Sequence, residues 1–266
     1  PWQRYSDLMA DNFEPSTETN KRQQIYNRST SAYFTADDAY REGYRIIWRV
    51  NKVIDLVDKF EMSDTERNRM INEAKFLRAY AHFNMVRMFA QPYNYTSDNS
   101  HLGIVIKKET DAVIQMERST VKAVYDAVIM DLTDAQNLPA DNNGYATSWA
   151  AKSLLAEVHF NMYNYDSAYD LANEVLASGP GIFETTFDAR DTMFQVGSMH
   201  TESIFKLVGD DGVQNAGDGF GVYRSDGEST SIRVAQSFYR TASSNANDLR
   251  ASWYVVKNQG ETTEYY

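Results

Sequence analysis

Rings stack on the C–H faces of a sugar while amides, carboxylates and guanidinium groups bond its hydroxyls, and the chain offers that pairing in two stretches. Tyr26 and Tyr33 stand with Asn27 and Arg28 near the N-terminus. Trp253 and Tyr254 follow Asn247 and Arg250 near the other end. Arg250 has a competing role, because it could simply pair with Asp248. No comparable pattern points to catalysis. The histidines His82, His101, His159 and His200 show no H-E-x-x-H spacing, and His82 and His159 fall in helical stretches where packing or a local hydrogen bond is the plainer role. There is no G-x-S-x-G, P-loop or dinucleotide fingerprint, and no carboxylate spacing nominates a glycosidase acid and base. An enzyme is therefore not expected. Asp210, Asp211 and Asp218 gather oxygen ligands among glycines as a calcium loop would, yet the run departs from the EF-hand pattern at Val213. A flexible acidic loop is the alternative, and no other cofactor is suggested.

Composition narrows the classes further. A formal net charge of -11 and a pI near 4.9 argue against a groove that tracks phosphates, so nucleic acid is not an expected partner. With no cysteine, disulfides, thiol catalysis and thiolate zinc sites drop out together. No stretch approaches the roughly 20 apolar residues of a membrane-spanning helix. The 18 tyrosines, 13 phenylalanines and 4 tryptophans suit both sugar stacking and helical cores, and composition does not separate these uses.

The elements that must carry those residues are mostly helices. Ser63 with Glu66 three residues on is a capping box, and Met70, Ala74, Leu77, Ala81, Met85 and Met88 then follow a helical period until Pro92 stops it. Phe76, Tyr80 and Phe83 make a second apolar face, which predicts that the C-terminal half is enclosed by neighbours. Such a helix is about 39 Å long at 1.5 Å per residue. Upstream, Thr35 and Asp38 open another helix, with Tyr40, Tyr44, Ile47, Val50, Ile54 and Val57 in phase to Phe60. The short link at Glu61 and Met62 predicts antiparallel packing of the two. A third helix starts near Ser119–Thr120 and stops before Pro139, a fourth runs from about Tyr145 to Met162, and a fifth opens at Asp166 or Ser167 and closes at Gly179. Ala156, Ala168 and Pro180 match the small and terminal positions of a tetratricopeptide-like unit, although Lys152 and His159 depart from its consensus. Residues 1–34 and 90–117 read as loops. From Gly181 the apolar runs shorten: Thr201–Leu207 reads as a short strand or extended segment, Val234–Phe238 as a short helix and Trp253–Val256 as strand-like.

Several of these stretches resemble one family. The run Asn72-Glu73-Ala74-Lys75-Phe76-Leu77-Arg78-Ala79-Tyr80-Ala81-His82-Phe83, with Val86-Arg87-Met88-Phe89 and Pro92 beyond it, is similar to the signature helix of the SusD/RagB proteins, nutrient-binding lipoproteins of Bacteroidetes outer membranes. Tyr44 to Asp55, with Asn51 and Val53-Ile54, resembles the family's Y-x-x-I-x-x-x-N-x-V-I. Leu102-Gly103-Ile104-Val105-Ile106 resembles its L-G-I-P-L, with valine where proline is usual. Glu117 to Pro139 resembles its E-R-x-T-V helix almost continuously, and Thr201–Leu207 and Asn247–Arg250 resemble its E-x-I-F and D-x-R segments.

That resemblance implies a mainly α fold of tetratricopeptide-like helix pairs with a loop-rich side carrying short strands. Residues 1–266 would form a single, truncated SusD-like domain, of which 35–180 are helical scaffold and 181–266 loop-rich. It also implies a non-enzymatic glycan-binding protein on the outward face of the outer membrane. A lipid anchor absent from this chain would hold it there, and it would deliver oligosaccharides to a SusC-like TonB-dependent transporter. Loops before the first long helix help line the ligand surface in that family, which makes Tyr26, Asn27, Arg28, Tyr33 and Phe34 binding candidates beside Trp253 and Tyr254, with Tyr93 and Tyr95 as further possibilities. These aromatics could equally pin loops to helices. A peptide-capturing variant of the same uptake complex is the nearest alternative. A helical-repeat scaffold for protein partners is the alternative from another class, and an α-helical glycosidase is a distant third.

Overall fold

A computed structural model describes residues 9–10, 12–15, 23–24, 26–28, 35–110, 116–142, 144–181, 202–206, 232–245, 247–248, 256–259 and 262–265. The chain divides into two compact units, one of residues 40–206 and one of residues 1–39 with 207–266. The described helices are α1 (Thr35–Leu56), α2 (Asp64–Phe89), α3 (Val121–Ala135), α4 (Ser148–Asn161), α5 (Tyr165–Ser178) and a short α6 (Gln236–Ala242).

In the first unit α2 is the axis, as its sequence predicts. Ser63 caps it, its hydroxyl accepting from the Glu66 N–H at 3.2 Å, while the Glu66 carboxylate turns to Arg69 instead of closing the box. Much of the C-terminal half is enclosed: Phe76, Ala79, Ala81, Phe83, Met85 and Val86 lie inside, while Arg87 reaches solvent. Large side chains such as Phe76, Phe83, Ile47 and Leu132, each under 2% exposed, stabilise this core by roughly 1.5–3 kcal/mol apiece relative to solvent. The neighbours of α2 are antiparallel to it. Across α1, Tyr40 meets Phe89, Gly43 meets Met85 and Asn51 meets Arg78. A Cβ on Gly43 would collide with the Met85 sulfur, so glycine is what lets these two helices close up. Across α3, Phe83 meets Tyr125 and Arg78 meets Asp131. A 3-10 turn, Val57–Lys59, ends α1, and Arg67 of α2 donates back to the Val57 carbonyl at 3.0 Å.

Thr120 caps α3 and Thr147 caps α4, each accepting an N–H at 3.1 Å. Helices α4 and α5 form the tetratricopeptide-like antiparallel pair, with Lys152 bonded to Glu174 and Phe160 against Tyr165. Val158, Ala168 and Val175 are buried where they pack. The fold is thus mainly α, as expected. Residues 202–206, expected as a short strand or extended segment, carry a turn at Glu202 and a bend at Ile204 and join no strand among the described residues. The Phe205 ring packs edge-on against Phe76 at 5.1 Å, so this run serves the helical core and does not pair in a sheet.

The second unit carries an antiparallel sheet ordered β1-β2-β4-β3, built from Phe13–Pro15, Ile232–Val234, Thr262–Tyr265 and Val256–Gln259. Phe13, Glu14 and Pro15 face Val234, Arg233 and Ile232, and Arg233 donates to Glu14 at 2.8 Å. Pro15 is tolerated because β1 is an edge strand. The N-terminal stretch read as loop therefore contributes a strand. Trp253, Tyr254 and residue 255 of the strand expected at 253–256 lie outside the described residues, and β3 begins at Val256.

Candidate ligand-binding surface

Arg78, Asp131 and Asn51 of the family-like stretches are joined in one buried network. Arg78, 6% exposed, donates through Nε to Asp131 Oδ2 at 2.8 Å and through Nη2 to Oδ1 at 2.7 Å, a two-pronged pair whose partner is 3% exposed. Its third nitrogen, Nη1, donates to Asn51 Oδ1 at 2.9 Å, and Asn51, fully buried, donates to the Lys107 carbonyl at 3.0 Å. Tyr44, seven residues earlier on α1, donates to the Val105 carbonyl at 2.8 Å, and burial pushes its hydroxyl pKa well upward. From the opposite side Arg118 donates to the carbonyls of Gly103 at 2.6 Å, Phe89 at 3.0 Å and Leu102 at 3.2 Å. The run 99–104 also ladders against 118–122, with Gly103 N–H to Ser119 O at 2.7 Å and Ser119 N–H to Ile104 O at 2.9 Å. Gly103 lets the two runs approach closely, because a Cβ would lie 3.0 Å from backbone atoms of Ser119 and Val121. Glu73 plays the same part elsewhere, accepting at 2.7 Å from Asn142, which also donates to the Ala146 carbonyl and so fixes the loop entering α4. The charged and amide side chains of these stretches thus fasten loops to the scaffold.

His82 belongs to the same interior. It is 3% exposed, and Nε2 has no hydrogen-bond partner among the described residues. Burial holds its pKa down at about 4, reinforced by Arg78 and opposed by Asp131 and by a bond to the Arg78 carbonyl.

Of the sequence candidates for ligand binding, Tyr26, Asn27 and Arg28 are described and share one turn. The Asn27 N–H donates to the Gln23 carbonyl at 2.9 Å, closing a helical turn, and Arg28 leaves it in the left-handed region at φ 53°. Tyr26 is half-buried, while Asn27 and Arg28 are exposed. Arg28 donates to the Met9 carbonyl at 3.1 Å. The turn therefore presents an amide and a guanidinium to solvent beside a partly covered ring. Tyr33, Phe34, Trp253 and Tyr254 lie outside the described residues, as do Asp210, Asp211 and Asp218 of the candidate calcium loop.

Tyr93 and Tyr95 divide. Tyr93 packs on Tyr125 at 4.9 Å between ring centres and anchors its loop. Tyr95 is 64% exposed, its ring 5.4 Å from His101. His101 donates from Nε2 to the Gln91 carbonyl and accepts from Thr96 through Nδ1, which fixes its tautomer. Asn94 and Asn99 both take positive φ, and the buried Asn99 accepts from the Asn94 N–H. A rigid loop thus holds one tyrosine outward.

Sequence reasoning passed over a second set of exposed rings, Phe160, Tyr163, Tyr165 and Tyr169, around the turn joining α4 and α5. A signal was available for Tyr169: Ala168 and Val175 mark the inward face of α5, and Tyr169 falls off it.

A SusD-like family model, described as starch-binding and associating with the outer membrane, matches residues 2–160. A SusD-like protein of Formosa agariphila is 23% identical over 190 residues, covering 66% of this chain and 34% of that protein. The crystal structure of a SusD superfamily protein from Bacteroides thetaiotaomicron aligns with a TM-score of 0.85 at 24% identity, over 98% of this chain and 60% of that one. A laminarin-binding SusD-like protein aligns with a TM-score of 0.59 at 19% identity, over 77% and 49%. The chain spans about a third of the length of that curated relative. Its helix pairs and the residue 2–160 match make it a member of the SusD-like family of starch-binding, outer-membrane-associated proteins.

Proposed function

We propose that this chain belongs to a non-catalytic glycan-binding subunit, lipid-anchored on the outward face of the outer membrane, which delivers oligosaccharides to a SusC-like TonB-dependent transporter. The observation that carries this reading is the family match over residues 2–160, which takes in the signature helix, its fastened loops and the Tyr26–Arg28 turn. A laminarin-binding protein among the structural relatives agrees with it. The ligand surface in this reading comprises Tyr26, Asn27, Arg28, Tyr33, Phe34, Trp253 and Tyr254 within a single SusD-like domain. Rings stack on sugar faces, and Asn27 and Arg28 bond hydroxyls.

Calorimetry of the chain against a panel of oligosaccharides tests it, with Tyr26→Ala, Arg28→Ala and Trp253→Ala as variants. Saturable binding, weakened about tenfold by removing a stacked ring, is expected. A folded chain that binds peptides and no saccharide would sink the glycan reading.

A further inference from the structure

A row of rings and charges crosses α2, α3, α4 and α5 of the helical unit, outside the residues assigned above. It begins at Tyr93 on Tyr125 and continues to Phe83, which meets Tyr125 edge-on at 5.9 Å. The Arg87 guanidinium lies 4.9 Å over the Phe83 ring and donates across to Glu157 of α4 at 2.6 Å. That pair is open to solvent, at 41% and 49% exposure. Phe160 follows one turn after Glu157, and Tyr165 sits against it at 5.5 Å, with Tyr163 at 6.1 Å from Tyr165. Tyr169 stands about 6 Å further along the α5 axis and is 68% exposed.

Tyr163 is the informative residue. The Tyr163 N–H bonds Phe160 O at 3.1 Å and the Asn164 N–H bonds His159 O at 2.9 Å, the paired bonds of a Schellman helix end. That motif places its C′ residue in the left-handed region, and Tyr163 has φ 62°. Glycine occupies the position without strain, whereas a bulky side chain raises the cost of the turn. The chain accepts this cost and gains an outward-facing ring, 53% exposed, beside three others. Residues held in costly backbone conformations concentrate at ligand sites.

The chemistry selects the occupant. Phe160, Tyr163, Tyr165 and Tyr169 offer flat faces, while Arg87 donates and Glu157 accepts, which matches a molecule with apolar C–H faces and hydroxyls that do both. A close-packed apolar protein face would instead have to dehydrate the Arg87–Glu157 pair without replacing its water. We propose that Arg87, Glu157, Phe160, Tyr163, Tyr165 and Tyr169 form a saccharide-contacting surface on the helical unit, additional to the Tyr26–Arg28 turn and resting on the glycan-binding reading above.

The test uses the whole chain with laminarihexaose and maltoheptaose, read by calorimetry and thermal unfolding together. Tyr163→Gly is expected to raise the melting temperature, by relieving the helix end, and to weaken saccharide binding. Tyr165→Ala with Tyr169→Ala is expected to weaken it about tenfold or more with the melting temperature unchanged. If these variants bind as the parent does while Tyr26→Ala or Arg28→Ala weakens binding, the surface is refuted and the glycan reading stands. If the parent binds neither sugar, both are refuted. Concentration-dependent self-association, abolished by the Tyr165 and Tyr169 changes with saccharide affinity untouched, would overturn the proposal in favour of a contact between copies.

Discussion

Replacing Arg78 by methionine isolates the energetics of the interior. The substitution keeps an unbranched apolar stem but leaves the Asp131 carboxylate, with 4% side-chain exposure, without its counter-ion and removes the donor to Asn51 Oδ1. Breaking a buried pair from one side costs about 3–5 kcal/mol, because the surviving charge stays desolvated. Against a total stability of roughly 5–15 kcal/mol, that is a large fraction. At about 2–4 °C per kcal/mol for a domain of this size, the melting temperature should fall by about 6–20 °C. Urea unfolding at pH 7, followed by circular dichroism, measures it directly. The paired change Arg78→Met with Asp131→Leu should recover most of the loss, since well-packed apolar groups can replace a buried ion pair at little cost. Arg78→Met costing under about 1 kcal/mol, or a double variant no more stable than the single one, would refute this account.

Two further outcomes follow from the same interior. His82 is held near pKa 4, below its ordinary 6.5, so the unfolded chain takes up the proton first. Its contribution is fully present above pH 6.5 and is lost as pH falls towards 4, by up to about 3 kcal/mol. His82→Gln should therefore flatten the fall in urea midpoint between pH 7 and pH 4.5, and an unchanged slope would contradict the assignment. Gly103→Ala places a methyl group 3.0 Å from the backbone of Ser119 and Val121, and should destabilise by about 1–3 kcal/mol in thermal unfolding.

Three of the described helices carry clear boundary chemistry in the sequence. Ser63, Thr120 and Thr147 announce helix starts within a few residues of the apolar period they precede. Strand β1 was not legible: three residues ending in proline are too short to show alternation, and their partners lie more than two hundred positions away. Residues 202–206 carry strand-like side chains, but the Phe205 ring is used to cover Phe76 of α2. At the candidate site the types of residue were readable and their partners were not. Nothing local to Arg78 says that it is buried, or that Asn51 and Asp131 converge on it from separate helices. Tyr26, Asn27 and Arg28 were found through their adjacency, whereas Tyr163 became distinctive only once its backbone angle was known.

The fastening of residues 102–109 is indifferent to what those residues are. Tyr44, Asn51 and Arg118 grip carbonyl oxygens, at Val105, Lys107, Gly103 and Leu102, and leave the side chains between them out of the bargain. Gly103 and Ile104 are buried and Val105, Ile106 and Lys107 half-buried, which leaves Leu102, Lys108 and Glu109 as the exposed positions of a segment held by its backbone. Its outward surface can be rewritten, by drift or by design, while the frame that presents it keeps its shape.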